Sequence, residues 1–215
     1  MKKAEFLIVL DTEFISLKKG GQPFQISMSA FHLNNETLIK ISDFNVYITL
    51  RKGVYLNKYV KAYTGVTEEK LHDEGIYPFM ATNQLLDYIL NFDLKRTILV
   101  GWDPSNDIRM MNLLVNHEDE IFDFKKATWL NLAASYSRLN GIPKGISRSL
   151  TEACNNYGMV DYDAHDAIED CKATVELLRR MIEKHGVEEV IYKTINETPK
   201  TKVKYKKVRE QKIAG

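Results

Sequence analysis

At 215 residues, with 44% apolar and 27% charged side chains, the chain is long enough to bury the core of one domain, most simply one domain and a tail. No stretch approaches a membrane span, and the apolar run behind Lys2 and Lys3 is five residues, too short for a secretory leader, so a cytoplasmic protein without membrane association is expected. Cys154 and Cys171 have neither pairing nor metal-ligand spacing and read as small core residues of a reducing compartment. The net charge of +1 hides an asymmetry. Residues 199–215 carry seven basic side chains against Glu210, leaving the remainder at −5. This division suits an acidic body, 1–190, with a basic tail, 191–215, for a polyanion, and equally a solvated terminal segment.

In chain order, residues 6–10 form an aliphatic run that stops at Asp11, the pattern of a buried strand ending at a sheet's carboxyl edge. A polar Gly-Gly turn is expected over 18–23. Strands follow over 24–33 and 37–50, joined at Asn34 and Asn35 in an antiparallel meander. Thr67 predicts a cap for a short helix over 68–72, and Pro78 opens a longer one toward Phe92. A fourth strand covers 97–100. Pro104 sits in the first turn of a helix to about 116, with a short fifth strand near 121–124 and a helix over 129–139. Ser149 or Ser147 caps the next helix, which ends at Tyr157 and Gly158. The last strong helical pattern spans 163–184, with Ala167, Cys171, Thr174, Leu177, Leu178 and Met181 as its apolar stripe. Strands first, then strands alternating with helices, predict an α/β fold with a mixed sheet covered by helices.

Three separated segments each offer acids. Asp11 and Glu13 are two residues apart on a strand and so point to one side, with Thr12 facing away. Taken alone they read equally well as a turn acid and a solvated glutamate. Asp103 and Asp107 both follow the fourth strand, either able to cap a helix; Asp107, inside the helical pattern, is the candidate. Asp163 and Asp166 are natural first-turn acids, whereas Asp170 lies a full turn further in, where the helix dipole no longer accounts for it. Four carboxylates in one pocket would repel each other into partial neutrality unless cations intervene. Hard oxygen ligands suit Mg²⁺ or Mn²⁺, held as a pair about 3.5–4 Å apart. His165, with an ordinary pKa near ~6.5, is placed to take a proton from water. The set reads as a metal-dependent nuclease site.

Asp-x-Glu at the end of the first strand, an Asp opening the helix after the fourth, and His-x4-Asp in HDAIEDCKAT resemble the three motifs of the DEDDh 3′-to-5′ exonuclease superfamily. That group includes the proofreading epsilon subunit of bacterial replicative DNA polymerase, ribonuclease T and oligoribonuclease. The segment TGVT, residues 64–67, is similar to the loop that in this family contacts the terminal nucleotide. The resemblance covers about residues 5–184. It implies a ribonuclease H-like fold with a five-stranded mixed sheet, metal ligands at Asp11, Glu13, Asp107 and Asp170, and a general base at His165. It also implies contacts from Thr12, Phe14, Thr64 and Gly65 to the 3′ end of single-stranded DNA or RNA, with Phe14 stacking or wedging. The stretch 101–106 departs from the family's second motif, which usually carries His-Asn before its Asp. Trp102 there is similar to the branch of histone-mRNA exonuclease-like enzymes, which inclines toward RNA. A polymerase or a second copy of the chain is a further expected partner. A module that kept the fold without the chemistry, or another metal-dependent phosphodiesterase or endonuclease, are the alternatives.

Overall fold

Side-chain parity along the first strand divides the molecule. In the computed structural model, which describes residues 4–18, 20–115, 122–143, 145–159 and 166–197, β1 is Phe6–Leu17, β2 Gly20–Asn34, β3 Thr37–Tyr47, β4 Thr97–Gly101 and β5 Trp129–Asn131. They form one sheet in the order β3-β2-β1-β4-β5, antiparallel across β3-β2-β1 and parallel across β1-β4-β5. Leu7 and Val9 point to one face and Ile8 and Leu10 to the other, as the two-residue period requires. Both faces are covered, which makes this stretch continuously apolar instead of alternating.

The helices are α1 (Lys58–Thr64), α2 (Glu68–Asp73), α3 (Pro78–Leu90), α4 (Ser105–Val115), α5 (Leu132–Leu139), α6 (Leu150–Asn156), α7 (Ala167–His185) and α8 (Lys193–Glu197), with a 3-10 turn at Phe124–Lys126 and a π-helical turn at Glu188–Tyr192. On the face of Leu7 and Val9, α7 lays Cys171, Val175, Leu178 and Met181 over the sheet, joined by Tyr136 of α5 and Ala153 of α6. On the face of Ile8 and Leu10 lie Leu85 and Ile89 of α3 and Met111 and Leu114 of α4. Truncating one of these buried aliphatics to alanine costs about 2–5 kcal/mol. A third cluster, Ile15, Phe24, Tyr47, Leu56, Val66 and Leu71, ties α1 and α2 to the far end of the β1-β2 hairpin. The fold is ribonuclease H-like: a mixed five-stranded sheet between helices. Among the described residues no helix is long and apolar enough to cross a membrane.

Several elements differ from the sequence reading. The first strand does not stop at Asp11. It runs on to Leu17 with a bulge between Glu13 and Phe14, because β2 supplies a pairing partner as far as Gly20. The expected Gly-Gly turn is therefore mostly strand. A Cβ on Gly21 would lie 2.8 Å from the Met110 methyl, the flexible end of that side chain, and 3.0 Å from the Ile15 carbonyl oxygen. Of the apolar run expected as a fifth strand, Phe122 and Asp123 lie in no regular element and Phe124 opens a 3-10 turn. Phe124 is fully buried and donates its amide to the Asn112 side chain, so the run serves packing. The fifth strand is instead Trp129–Asn131, paired with Leu99, Val100 and Gly101 where a helix was expected. Helix α1, capped by Asn57, was not anticipated. Ser135 donates to the Val190 carbonyl at 2.7 Å, and Val190 and Ile191 are buried in the core cluster on that face. The basic segment 199–215 and His165 lie outside the described residues.

Candidate active site

Asp11 and Glu13 share the parity of Leu7 and Val9, so β1 presents both acids on the side covered by α7. Helix α7 starts later than its apolar pattern suggests. Asp166 is its N-cap, accepting from the amides of Ile168 and Glu169, which places Asp170 in the first turn and not beyond it. Cys171, the next residue, is buried and donates its thiol to the Val9 carbonyl at 3.4 Å. That contact pins the first turn of α7 against β1 two residues from Asp11. One oxygen from each of Asp11, Glu13 and Asp170 lies within 4.8 Å of the other two.

Asp107 approaches β1 from the other layer, at Thr12, and is not one of the three acids whose oxygens lie within 4.8 Å of one another. β4 ends at Gly101, where a Cβ would stand 2.9 Å from the Pro104 Cβ, so the chain turns tightly from strand into α4. Asp107 lies in the first turn of that helix and is buried. The Thr12 hydroxyl donates to its Oδ1 at 2.6 Å. Thr12 does face away from its two acidic neighbours, and its own hydroxyl is engaged with the fourth acid.

The electrostatics follow from the crowding. Burial, then the charges of Asp107, Asp170, Glu13 and Asp166, raise the Asp11 carboxyl well above its ordinary value. Burial, then Asp170, Asp107 and Asp166, push Glu13 up to about 8. Asp107 is raised by burial to about 6, a smaller displacement because the Thr12 hydroxyl and the backbone amides of Asp107 and Thr12 stabilise its anion. Such a site gathers unfavourable negative charge and oxygen ligands together, the combination a hard divalent cation relieves.

The other expected residues divide. Phe14 is half-buried beside the acids, with the Arg109 guanidinium 5.9 Å from its ring centre. Thr64 is buried and donates to the Val60 carbonyl, while Gly65 closes α1 with φ of 67° and is exposed. Trp102 donates its indole N–H to the Arg148 carbonyl and packs against Tyr136, which accounts for it structurally. Sequence reasoning missed three neighbours. Tyr63 has its phenol pKa raised by burial and by Glu13, Asp170 and Asp11; the signal was its place before Thr64 and Gly65. Gln25 is opposite Glu13 in the sheet, fully buried, and donates to Asp166 at 3.2 Å and to the Tyr47 hydroxyl at 3.3 Å. Asp166 bears on Asp11 and Glu13 besides capping α7.

Comparison with known proteins bears on the family and the fold. The family model described as exonuclease, of the RNase T type, matches residues 8–178. The fold is similar to that of the cell-death related nuclease CRN-4 at 18% identity and TM-score 0.68, covering 85% of this chain and 65% of that one. It is similar to the nuclease domain of 3′hExo, a DEDDh family member bound to rAMP, at 17% identity and TM-score 0.68, covering 86% and 94%. Escherichia coli exonuclease I with a dT13 oligonucleotide matches at 15% identity and TM-score 0.67, covering 83% of this chain and 41% of that one. The chain thus spans about two thirds of CRN-4 and two fifths of exonuclease I. No curated protein sequence matches it. By the extent of the family match, 8–178 of 215 residues, the chain belongs to the exonuclease family of the RNase T type.

Proposed function

We propose that the protein removes nucleoside 5′-monophosphates from the 3′ end of single-stranded DNA or RNA by two-metal phosphodiester hydrolysis. The observation that carries this reading is the convergence of Asp11, Glu13 and Asp170 within 4.8 Å, with Asp107 bound to Thr12 alongside. These four would hold Mg²⁺ or Mn²⁺. Divalent ions bound there would supply acidification of the attacking water and charge relief at the leaving oxygen. The chain's own part is to collect the ligands and to orient the end of the strand. His165, immediately before the Asp166 cap, takes the proton from the water in this reading. Phe14, at the rim, supplies a face for a terminal base of any identity.

The test is digestion of 5′-labelled single-stranded DNA and RNA with Mn²⁺ and with chelator. A ladder of products shortened stepwise from the 3′ end, with released mononucleotides, is expected with Mn²⁺ alone. Internal fragments, or hydrolysis that survives chelation, would overturn the reading. Asp170→Asn should lose the activity while still folding, and His165→Ala should lower turnover much more than binding.

A further inference from the structure

Resting on the reading of Glu13 and Asp170 as metal ligands, we infer that Gln25 is a positioning residue that fixes the first turn of α7 against the sheet. It thereby sets Asp170 against Glu13. Glu13, Gln25 and Tyr47 are direct cross-strand partners on β1, β2 and β3, so their side chains form one row on the face that α7 covers. Gln25 is fully buried within that row. Its Nε2 donates to Asp166 Oδ2 at 3.2 Å and to the Tyr47 hydroxyl at 3.3 Å. These partners determine the orientation of the amide, since turning it over would set Oε1 against the Asp166 carboxylate, acceptor to acceptor. Oε1 is left without a hydrogen-bond partner among the described residues. A buried orphan carbonyl destabilises a fold, and a strand buried on both faces is ordinarily filled by aliphatic side chains. Packing therefore does not account for a glutamine here, whereas the contact with α7 does.

The contact acts where the ligands meet. Asp166 uses its other carboxylate oxygen to cap the Ile168 and Glu169 amides, and its backbone carbonyl accepts the Asp170 amide at 2.8 Å. Holding Asp166 thus holds the turn that ends in Asp170. The Cys171 thiol ties the same turn to Val9 of β1, but a single tether leaves a helix end free to swing about it. The bond from Gln25 is a second tether, anchored on β2. Two anchors on adjacent strands fix the swing of the turn as well as its height above the sheet. The donor is also neutral. A lysine or arginine at this place would reach Asp166, but its charge would pair with Glu13 opposite and take the place of a divalent cation. An amide holds the helix and leaves the negative charge of the acids to the metal.

The experiment compares the full chain with Gln25→Leu, Gln25→Glu, Asp166→Asn and the exchange variant Gln25→Glu/Asp166→Asn. The readouts are Mn²⁺ affinity by calorimetry, KM for an oligonucleotide at saturating Mn²⁺, and the urea midpoint in chelator. Gln25→Leu removes the tether together with the orphan carbonyl. It should weaken Mn²⁺ binding roughly 10- to 100-fold, the range for loss of a group that orients a metal ligand, with KM near the parent value and a urea midpoint at or above the parent's. Gln25→Glu sets two carboxylates against each other and should show the same loss or a larger one. In the exchange variant the asparagine amide donates to the introduced carboxylate at unchanged net charge, so most of the lost affinity should return. A lowered urea midpoint with parent-like Mn²⁺ affinity in both single Gln25 variants would make Gln25 a packing residue and overturn the inference. So would an exchange variant whose affinity equals the product of the two single effects within about twofold, the behaviour of independent sites. Either result leaves the exonuclease reading standing, because the parent chain still binds Mn²⁺ and digests oligonucleotides. A parent chain that does neither removes that reading, and this inference with it.

Discussion

Thr12 donates its hydroxyl to Asp107 at 2.6 Å, joining the strand that carries two of the acids to the helix that carries a third. Both groups are buried, so the bond has no competing water. Replacing Thr12 with the isosteric valine removes a donor from the Asp107 anion and should raise its pKa above the present value of about 6. Loss of a ligand-orienting partner of this kind commonly lowers metal affinity or activity about 10- to 100-fold. We expect Thr12→Val to fall in that range in Mn²⁺ titrations of hydrolysis, and Thr12→Ser to stay near the parent. Equal Mn²⁺ dependence in parent and valine variant would show that this bond does not organise the site.

The crowding of acids predicts how stability changes with pH when no divalent ion is supplied. An unfolded Glu13 releases its proton near 4.5, whereas the folded one holds it to about 8. Between those values the unfolded chain binds fewer protons, so stability falls as pH rises. Asp11, displaced the same way, adds to the slope. In chelator, Tm should therefore drop by several degrees from pH 5 to pH 8, given about 2–4 °C per kcal/mol for a domain of this size. Added Mn²⁺ should reverse the drop. Asp11→Asn should flatten the chelator profile and weaken the Mn²⁺ response, because it removes one of the repelling charges and one ligand. A Tm that rises across this window in chelator would contradict the arrangement.

The acids were legible in the sequence because each sits at a punctuation mark. Asp11 interrupts an aliphatic run, Asp107 follows Gly101 and Pro104, and Asp170 falls between Ala167 and Cys171 of the buried stripe. Their convergence was not visible from local pattern, since it depends on α7 crossing β1 and on the Cys171–Val9 contact, 162 residues apart in sequence. Local pattern failed where pairing was decided at a distance. Nothing near Glu13 signals that β1 will continue, because the cause is β2. Trp129–Asn131 is too short to announce itself as a strand and is fixed by the edge that β4 offers. Helix α1 escaped notice because its outward tyrosines mask the usual apolar period.

The corner at Gly101 gives a steric prediction. Alanine there would place its methyl 2.9 Å from the Pro104 Cβ, closer than such contacts occur, and Pro104 has no flexible end to move aside. The strain should be relieved by displacing the start of α4, and Asp107 with it. Gly101→Ala is expected to cost about 1–3 kcal/mol in urea unfolding, together with weakened Mn²⁺ activation. A stability loss with wholly normal Mn²⁺ activation would separate the corner from the placement of Asp107.

Asp166 combines a capping role with a charge, and two substitutions separate them. Its Oδ1 accepts from the Ile168 and Glu169 amides, while its Oδ2 accepts from the buried Gln25. Asp166→Ala removes the cap and should cost about 0.5–2 kcal/mol, read as a lower urea midpoint. Asp166→Asn keeps a capping oxygen. Its new amide hydrogen can be met if the Gln25 side chain turns over, because Gln25 Oε1 is buried and has no hydrogen-bond partner among the described residues. The asparagine variant should therefore unfold close to the parent midpoint at neutral pH. With one fewer charge acting on Asp11 and Glu13, it should also lose less stability than the parent toward pH 8 in chelator. Identical losses in the alanine and asparagine variants would mean that the carboxylate's charge, and not its capping oxygen, anchors the first turn of α7.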